Sequence, residues 1–307
     1  MKKLLLTTIV ALGVAFTCQA KKTELSLHLQ KGKAYTQITD SHVTIDQQVQ
    51  GQQMKIVMEI KGSMTFKVTA VTAAGYHMDV QYDSLGLSMQ MPQGSMEFSS
   101  EKNDASDVFS SVLKAMKNRP FQVAMTKQGK ITEVKNLDKL FDSMFADSPQ
   151  LPEQQKAQMK AQLVRSYGED AFKGNVEMTL AIYPDKPVAP GDTWVMENKQ
   201  QSGMPIEITT TYTYKANEGS DYLITGDSKI KTSDPDEFVE NNGMQMKYNM
   251  DGTMTSEIKV DKATGWIKEA RLKQEMQGTT IIKANAQMPN DMQIPMTMHN
   301  EMTFTDK

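Results

Sequence analysis

Between Gly51 and Ala70 the chain sets Met54, Ile56, Met58, Ile60, Met64, Phe66, Val68 and Ala70 all on even positions. Lys55, Glu59, Lys61, Ser63, Thr65, Lys67 and Thr69 stand between them, with Val57 the one apolar exception. Successive side chains of a strand point to opposite faces, so this pattern predicts a sheet with one apolar and one wet face and excludes a helix. Gly62 and Ser63 have the composition of a two-residue turn. Such a turn would set Met64 beside Lys61 and move the second half of the stripe to the solvent side. Preserved parity instead favours one bent or bulged strand, or a three-residue loop. The same test applies at Asp251 and Gly252, where Met244, Met246, Tyr248, Met250, Met254, Ile258 and Val260 keep one parity. Gly252 is therefore expected as a bulge or bend within a long strand.

Further alternations predict strands at Leu25, Leu27 and Leu29; at Tyr76 to Tyr82 and then Leu85 to Met91; and at Val176, Met178, Leu180 and Ile182. Others lie at Ile206 to Tyr214 and Tyr222 to Ile230, and a hairpin at DKATGW leads into a strand carrying Trp266, Ala270, Leu272 and Met276. Between 104 and 168 the period changes. Val108, Phe109, Val112, Leu113 and Met116 fit one helical face, and Leu137, Leu140, Phe141, Met144 and Phe145 fit another after a candidate N-cap at Asn136. A more polar helix opens near Pro152 and closes at Gly168, with Ala157, Ala161, Leu163 and Val164 as its apolar stripe. A short strand pair, RPFQVAMTKQGKITEV, separates the first two helices. The order sheet, helices, sheet predicts an α+β fold. A large, curved, mainly antiparallel sheet, half-barrel-like, packs on two or three helices inserted mid-chain. The expected division is 21–101 as an N-terminal β part, 102–173 as the helical part and 174–307 as a C-terminal β part of a single secreted domain.

The first twenty residues, MKKLLLTTIVALGVAFTCQA, have the charged start, short apolar run and polar tail of a secretory signal peptide. Cys18 is the only cysteine and sits where a lipoprotein is lipidated, but Phe16 and Thr17 precede it where small residues are wanted. Cys18 and Ala20 fit ordinary cleavage after Ala20, with lipid anchoring at Cys18 as the lesser alternative. Cleavage there removes the thiol, and with it disulfides and cysteine chemistry. No later stretch approaches the eighteen or so apolar residues of a membrane-spanning helix. The net charge of −3, spread without runs, suggests no nucleic-acid partner.

Several blocks resemble a family of secreted bacterial proteins, domain of unknown function 6263. They are GKAY at 32–35, the Gln- and Met-rich strand after Gly51, GYHMDVQYDSL at 75–85, MEFSSE at 96–101, RPFQVAMTKQGKITEVKNLDKL at 119–140 and VAPGDTW at 188–194. The resemblance implies export from a Gram-negative cell and a periplasmic or cell-surface life, and transfers no catalytic residue. The predicted architecture is also similar to the lipoprotein-carrier and lipid-carrier half-barrels of the periplasm, an analogy at fold level alone.

Methionine is abundant, at 25 residues, and with histidine it could hold a soft metal such as Cu(I). In MQIPMTMHNEMTFT, however, Met292, Met296, Met298 and Met302 share one face with Ile294 and Phe304, while His299 shares the other with Glu301. Neither His28, His42 nor His77 has a second histidine or a cysteine at ligand spacing, so no metal or other cofactor is expected. Nucleophile-elbow, phosphate-loop and dinucleotide motifs are absent. Asp79 and Asp83 would support catalysis only if they lined a pocket, so the chain is expected not to be an enzyme. Trp194 and Trp266 are expected as core anchors, and Pro190 with Gly191 as a turn.

An unbranched, deformable methionine surface can repack around varied apolar partners. The candidate ligand face comprises Met54, Met58, Met64, Phe66, Met246, Met250, Met254, Met292, Met296, Met298 and Met302. Its expected occupants are a lipid, acyl chain or hydrophobic peptide, or an envelope protein such as a lipoprotein. The alternative is a structural or interaction module whose core is fully filled.

Overall fold

The computed structural model describes residues 22–104, 106–146, 152–201, 203–241, 243–285 and 288–307. The leader expected over 1–20, with Cys18, and the side chain of Phe145 lie outside the described residues. One open antiparallel sheet dominates. Its strands are β1 Ala34–Val49, β2 Gln52–Val71, β3 Gly75–Met91, β4 Gly94–Ser99, β5 Phe121–Thr126 and β6 Ile131–Lys135 in the first part. The second part holds β7 Thr193–Gln200, β8 Ile206–Glu218, β9 Asp221–Thr232, β10 Val239–Asn241, β11 Met244–Asp261, β12 Ile267–Ile282 and β13 Met292–Thr305. The strand order is β6-β5-β3-β2-β1-β13-β12-β11-β9-β8-β7, with β4 on β3 and β10 on β11. First and last strands are neighbours, Ile38 opposite Thr305 through Gln47 opposite Met296.

Parity located β2 and β11 as long strands. β2 runs unbroken through Gly62, and β11 through Gly252. The irregularity opposite Gly62 lies on β3: Ser63 faces Ser84 and Met64 faces Tyr82, which leaves Asp83 as an extra, unpaired residue. This bulge is why the β3 stripe changes from even numbers, Tyr76 to Tyr82, to odd ones, Leu85 to Met91, while both halves stay on one face. In β11 the register shifts at Lys259 and Val260, so Gly252 is a plain strand residue. The DKATGW hairpin forms as expected. The Asp261 carboxylate accepts from the N–H groups of Ala263 and Thr264, and Gly265 adopts φ 67°, where a Cβ would lie 2.1 Å from the Ser26 carbonyl.

Two expected strands do not form, and one strand was missed. Leu25, Leu27 and Leu29 are buried but join no ladder. The Leu27 and His28 N–H groups bond to the Lys127 and Thr264 carbonyls, and the Tyr76 hydroxyl donates to the Leu27 carbonyl at 2.7 Å. The leucine side of this extended segment is buried while Glu24, His28 and Gln30 are exposed, so its alternation reports burial rather than ladder pairing. Conversely, β1 was not foreseen, because its inward positions Gln37, Thr39, Ser41 and Gln47 are polar.

The other expected strand that does not form is the one over Val176 to Ile182. Residues Glu169–Leu180 form helix α4, which runs past the 102–173 range expected to be helical. Phe172, Val176, Thr179 and Leu180 are its buried residues at helical spacing, and the period-2 run 176, 178, 180 hides that stripe. The other helices are α1 Val108–Met116, α2 Leu137–Ala146 and α3 Glu153–Tyr167. In α3 only Leu163 is buried, with Met159 and Tyr167 one turn to either side. Ala157, Ala161 and Val164 are exposed, so the apolar stripe is 159, 163, 167.

Helix α1 begins at Asp107, whose carboxylate accepts from the Ser110 N–H at 3.0 Å and hydroxyl at 2.7 Å and pairs with Lys102. The bond from Lys102, then those from Ser110, hold the carboxyl down at about 2, from an ordinary 3.8. A depressed carboxylate stabilises the fold above its ordinary pKa, and that contribution disappears as pH falls through the lower value. Carbon NMR of the side-chain carboxyls is expected to titrate Asp107 near 2; a midpoint at 3.8 would mean the cap does not form in solution.

Candidate functional site

Side chains of helix α4 reach four strands of the sheet. The Gln37 side-chain Nε2–H of β1 donates to the Thr179 Oγ1 at 2.8 Å, and Phe172 meets Phe121 of β5 edge-on, ring centres 5.0 Å apart. Glu177 accepts from the Ile131 N–H of β6 at 2.7 Å, while Gln200 of β7 approaches the Met178 sulfur at 3.5 Å. Between α4 and the sheet remains a cleft of about 290 Å³.

The floor comes from β1, β2, β3, β12 and β13. Val43 of β1, Ile60 and Met64 of β2, Leu85 of β3, and Met302 and Phe304 of β13 supply apolar surface. Phe172, Val176 and Met178 of α4 form the opposite wall, with Tyr167 at the end of α3. Gly62 contributes no side chain between Ile60 and Met64, which leaves a gap in the floor; the Asp83 bulge brings both Tyr82 and Leu85 to the same side. Burial pushes the phenols of Tyr82 and Tyr167 above their ordinary pKa, so both remain neutral. A polar row crosses the floor at Gln37, Thr39, Ser41, Asn300 and Gln274. The Ser41 hydroxyl donates to Asn300 Oδ1 at 2.8 Å, and the Asn300 Nδ2–H reaches Gln274 Oε1 at 3.4 Å.

The eleven residues of the expected ligand face separate into three groups. Met64 and Met302 line the cleft. Phe66, Met250 and Met254 are packed into the core, at 0%, 2% and 3% exposure. Met54, Met58, Met246, Met292, Met296 and Met298 are half-buried outside the cleft lining. Met58 stands opposite Val43 at the cleft's margin, and Met298 opposite Ile45, so part of this methionine surface continues outward from the cleft. His299 lies on the outer face near Glu275, as its parity required.

The polar row and the α4 wall were missed. Asn300 interrupts the even stripe Met296, Met298, Met302, Phe304, and Gln274 interrupts Ala270, Leu272, Met276. A polar residue at apolar parity was the available signal for the row. Asp79 borders a separate depression on the outer face with His77 and Glu133, both exposed. Asp83 instead accepts from the Thr65 hydroxyl at 2.6 Å and the Gln81 side-chain N–H at 2.8 Å. Among the described residues no group of three or more His, Cys, Asp or Glu could hold a metal ion, and no helix is long and apolar enough to cross a membrane.

No curated protein matches the chain. Similar solved structures include OccK2 (OpdF) of Pseudomonas aeruginosa, in complex with glucuronate, which is 5% identical with a TM-score of 0.18 over 90% of this chain and 98% of that one. OmpT, an outer membrane protein of Vibrio cholerae, is 8% identical with a TM-score of 0.14 over 91% of this chain and 99% of that one. Likeness this slight carries no argument about the fold or its ligand. The profile of a family of unknown function, DUF6263, covers residues 73–267, including the RPFQVAMTKQGKITEV pair, the four helices and the VAPGDTW turn, and the chain belongs to that family.

Proposed function

We propose that the protein is a non-catalytic exported envelope protein that holds a hydrophobic ligand, a lipid or acyl chain, in the cleft under α4. The observation that carries this reading is the cleft itself, bounded by apolar side chains from both the sheet and α4. A half-barrel explains how it arises. Helix α4 bonds to β6 at one end of the strand order and meets β7 at the other. Laid flat, the eleven strands of that order would span about 48 Å at ~4.8 Å per step. A helix about 10–12 Å across touches both ends only if the sheet curls around it. Export to the periplasm or cell surface of a Gram-negative cell rests on the leader-like first twenty residues.

Native mass spectrometry of protein released gently from envelope extracts is expected to show an apolar molecule bound with one-to-one stoichiometry. A mass equal to the bare chain would count against the carrier reading. A second reading, docking of a hydrophobic peptide or lipoprotein, is favoured by the half-buried Met54, Met58, Met296 and Met298 beyond the cleft and by Ile60 and Met96, each 41% exposed.

A further inference from the structure

We infer that the protein pairs with a second copy of itself edge to edge along β7, antiparallel and in a register centred on Val195. The inference concerns the end of the sheet and does not rest on what the cleft holds. β7 is the last strand of the order, so one of its edges has no neighbouring strand. The Tyr214 N–H donates to the Asp192 carbonyl at 3.0 Å, just before the ladder in which Thr193 faces Thr213 and Trp194 faces Tyr212. Bonded and non-bonded residues alternate along such a pair. Trp194, Met196 and Asn198 therefore turn their backbone groups to β8, while those of Thr193, Val195 and Glu197 point away from it.

Elsewhere the edges are blunted. On β6 the Ile131 N–H donates to the Glu177 carboxylate of α4 at 2.7 Å, and on β4 the Ser99 N–H donates to the Ser110 hydroxyl at 3.0 Å. Helix α4 also covers the C-terminal end of β7, where a Cβ at Gly174 would lie 3.5 Å from the Lys199 carbonyl oxygen. Among the described residues, no such bond reaches the outward backbone groups of Thr193, Val195 or Glu197. Val195 is 59% exposed, more than any other large hydrophobic described. An unpaired edge carrying an exposed β-branched residue is a template for another strand.

The strand that suits this edge is the edge itself. A two-fold axis at Val195 sets Val195 opposite Val195 of the second copy and Thr193 opposite Glu197 on the outer face, with Trp194 opposite Met196 on the inner face. Apolar residues meet on both faces and no like charges are opposed. Centring on Glu197 would oppose two carboxylates, and centring on Met196 would set Val195 against Glu197 and Trp194 against Asn198. The favoured register makes three pairs, each exchanging two backbone hydrogen bonds. Such a contact is small beside the ~1,200–2,000 Å² of a stable complex, so the dimer is expected to depend on concentration.

Sedimentation velocity of the purified protein at rising concentration, up to roughly 0.5 mM, is expected to show a monomer passing into a dimer. Val195→Glu, a change at an exposed position, is expected to keep the wild-type melt and to weaken dimerisation by about tenfold or more, because it opposes two carboxylates. A second measurement reads the register directly. In a Cys18→Ser background, Val195→Cys is expected to be joined into a covalent dimer by a short bis-maleimide, whereas Thr255→Cys, on the outer face of β11 and separated from the edge by β8 and β9, is not. A protein that stays monomeric throughout would overturn the inference. So would a dimer that Val195→Glu leaves intact, or cross-linking no better at 195 than at 255.

Discussion

Trp266→Ala is expected to lower the unfolding free energy by about 3–5 kcal/mol, the range for truncating a buried large aromatic. Trp266 stands at the foot of β12, 4% exposed, with its ring 5.3 Å from Tyr35 and 5.4 Å from Phe66. Its indole N–H donates to the Thr36 carbonyl at 2.9 Å. One side chain thus joins the C-terminal part of the sheet to β1 and β2 across β13. Alanine would leave a cavity beside Tyr35 and Phe66 and remove the partner of a part-buried carbonyl. Urea denaturation measures the effect as a lowered midpoint at unchanged slope. Trp194→Ala is the comparison. Trp194 is half-buried at the far edge, stacked on Tyr212 at 5.8 Å and bonded to the Ile182 carbonyl at 2.8 Å, so its loss is expected to be smaller. A Trp266→Ala protein as stable as the parent would contradict the packing described here.

Gly62→Leu is expected to abolish ligand retention, with at least a tenfold loss of affinity, while leaving stability within about 1 kcal/mol. Gly62 points its missing side chain into the cleft from the middle of β2. Its φ is not positive, and an added Cβ would meet the Ser84 carbonyl oxygen at 3.4 Å and a Leu85 methyl at 3.9 Å, both ordinary contacts. A side chain also suits a strand interior better than glycine does. Leucine at 62 would therefore fill the cleft with little strain. Gly252, at the same parity on β11, behaves in the opposite way. There a Cβ would lie 2.2 Å from the Glu275 carbonyl and 2.7 Å from the Met276 side chain, so Gly252→Leu is expected to disrupt the sheet. Circular-dichroism melts of the two variants separate these outcomes.

The long strands were legible because their inner faces repeat apolar residues every second position, as from Met54 to Val68 and from Met244 to Val260. The β3 bulge left a trace in the parity change from Tyr82 to Leu85, but the irregularity was expected at Gly62 instead, because only the register shows which of the two strands carries it. β1 was not legible, because it presents Gln37, Thr39 and Ser41 to the interior, and a polar inner face looks like a loop when neighbours are unknown. Those residues make the floor of the cleft polar, so one property hid both the strand and the site. For α4, apolar residues at 172, 176, 178, 180 and 182 satisfy helical and strand spacing at once, and only packing against β5, β6 and β7 distinguishes them. The methionine stripes located the apolar face of the sheet but could not divide it. Which methionines are core, cleft or margin depends on where α4 comes to lie.

The most direct test of the account is titration of wild-type protein and Gly62→Leu with an environment-sensitive apolar fluorophore such as N-phenyl-1-naphthylamine. One saturable site in the wild type, lost in the variant while its melt is unchanged, is the predicted result. Equal binding by both proteins would place the hydrophobic site outside the cleft and contradict the central claim.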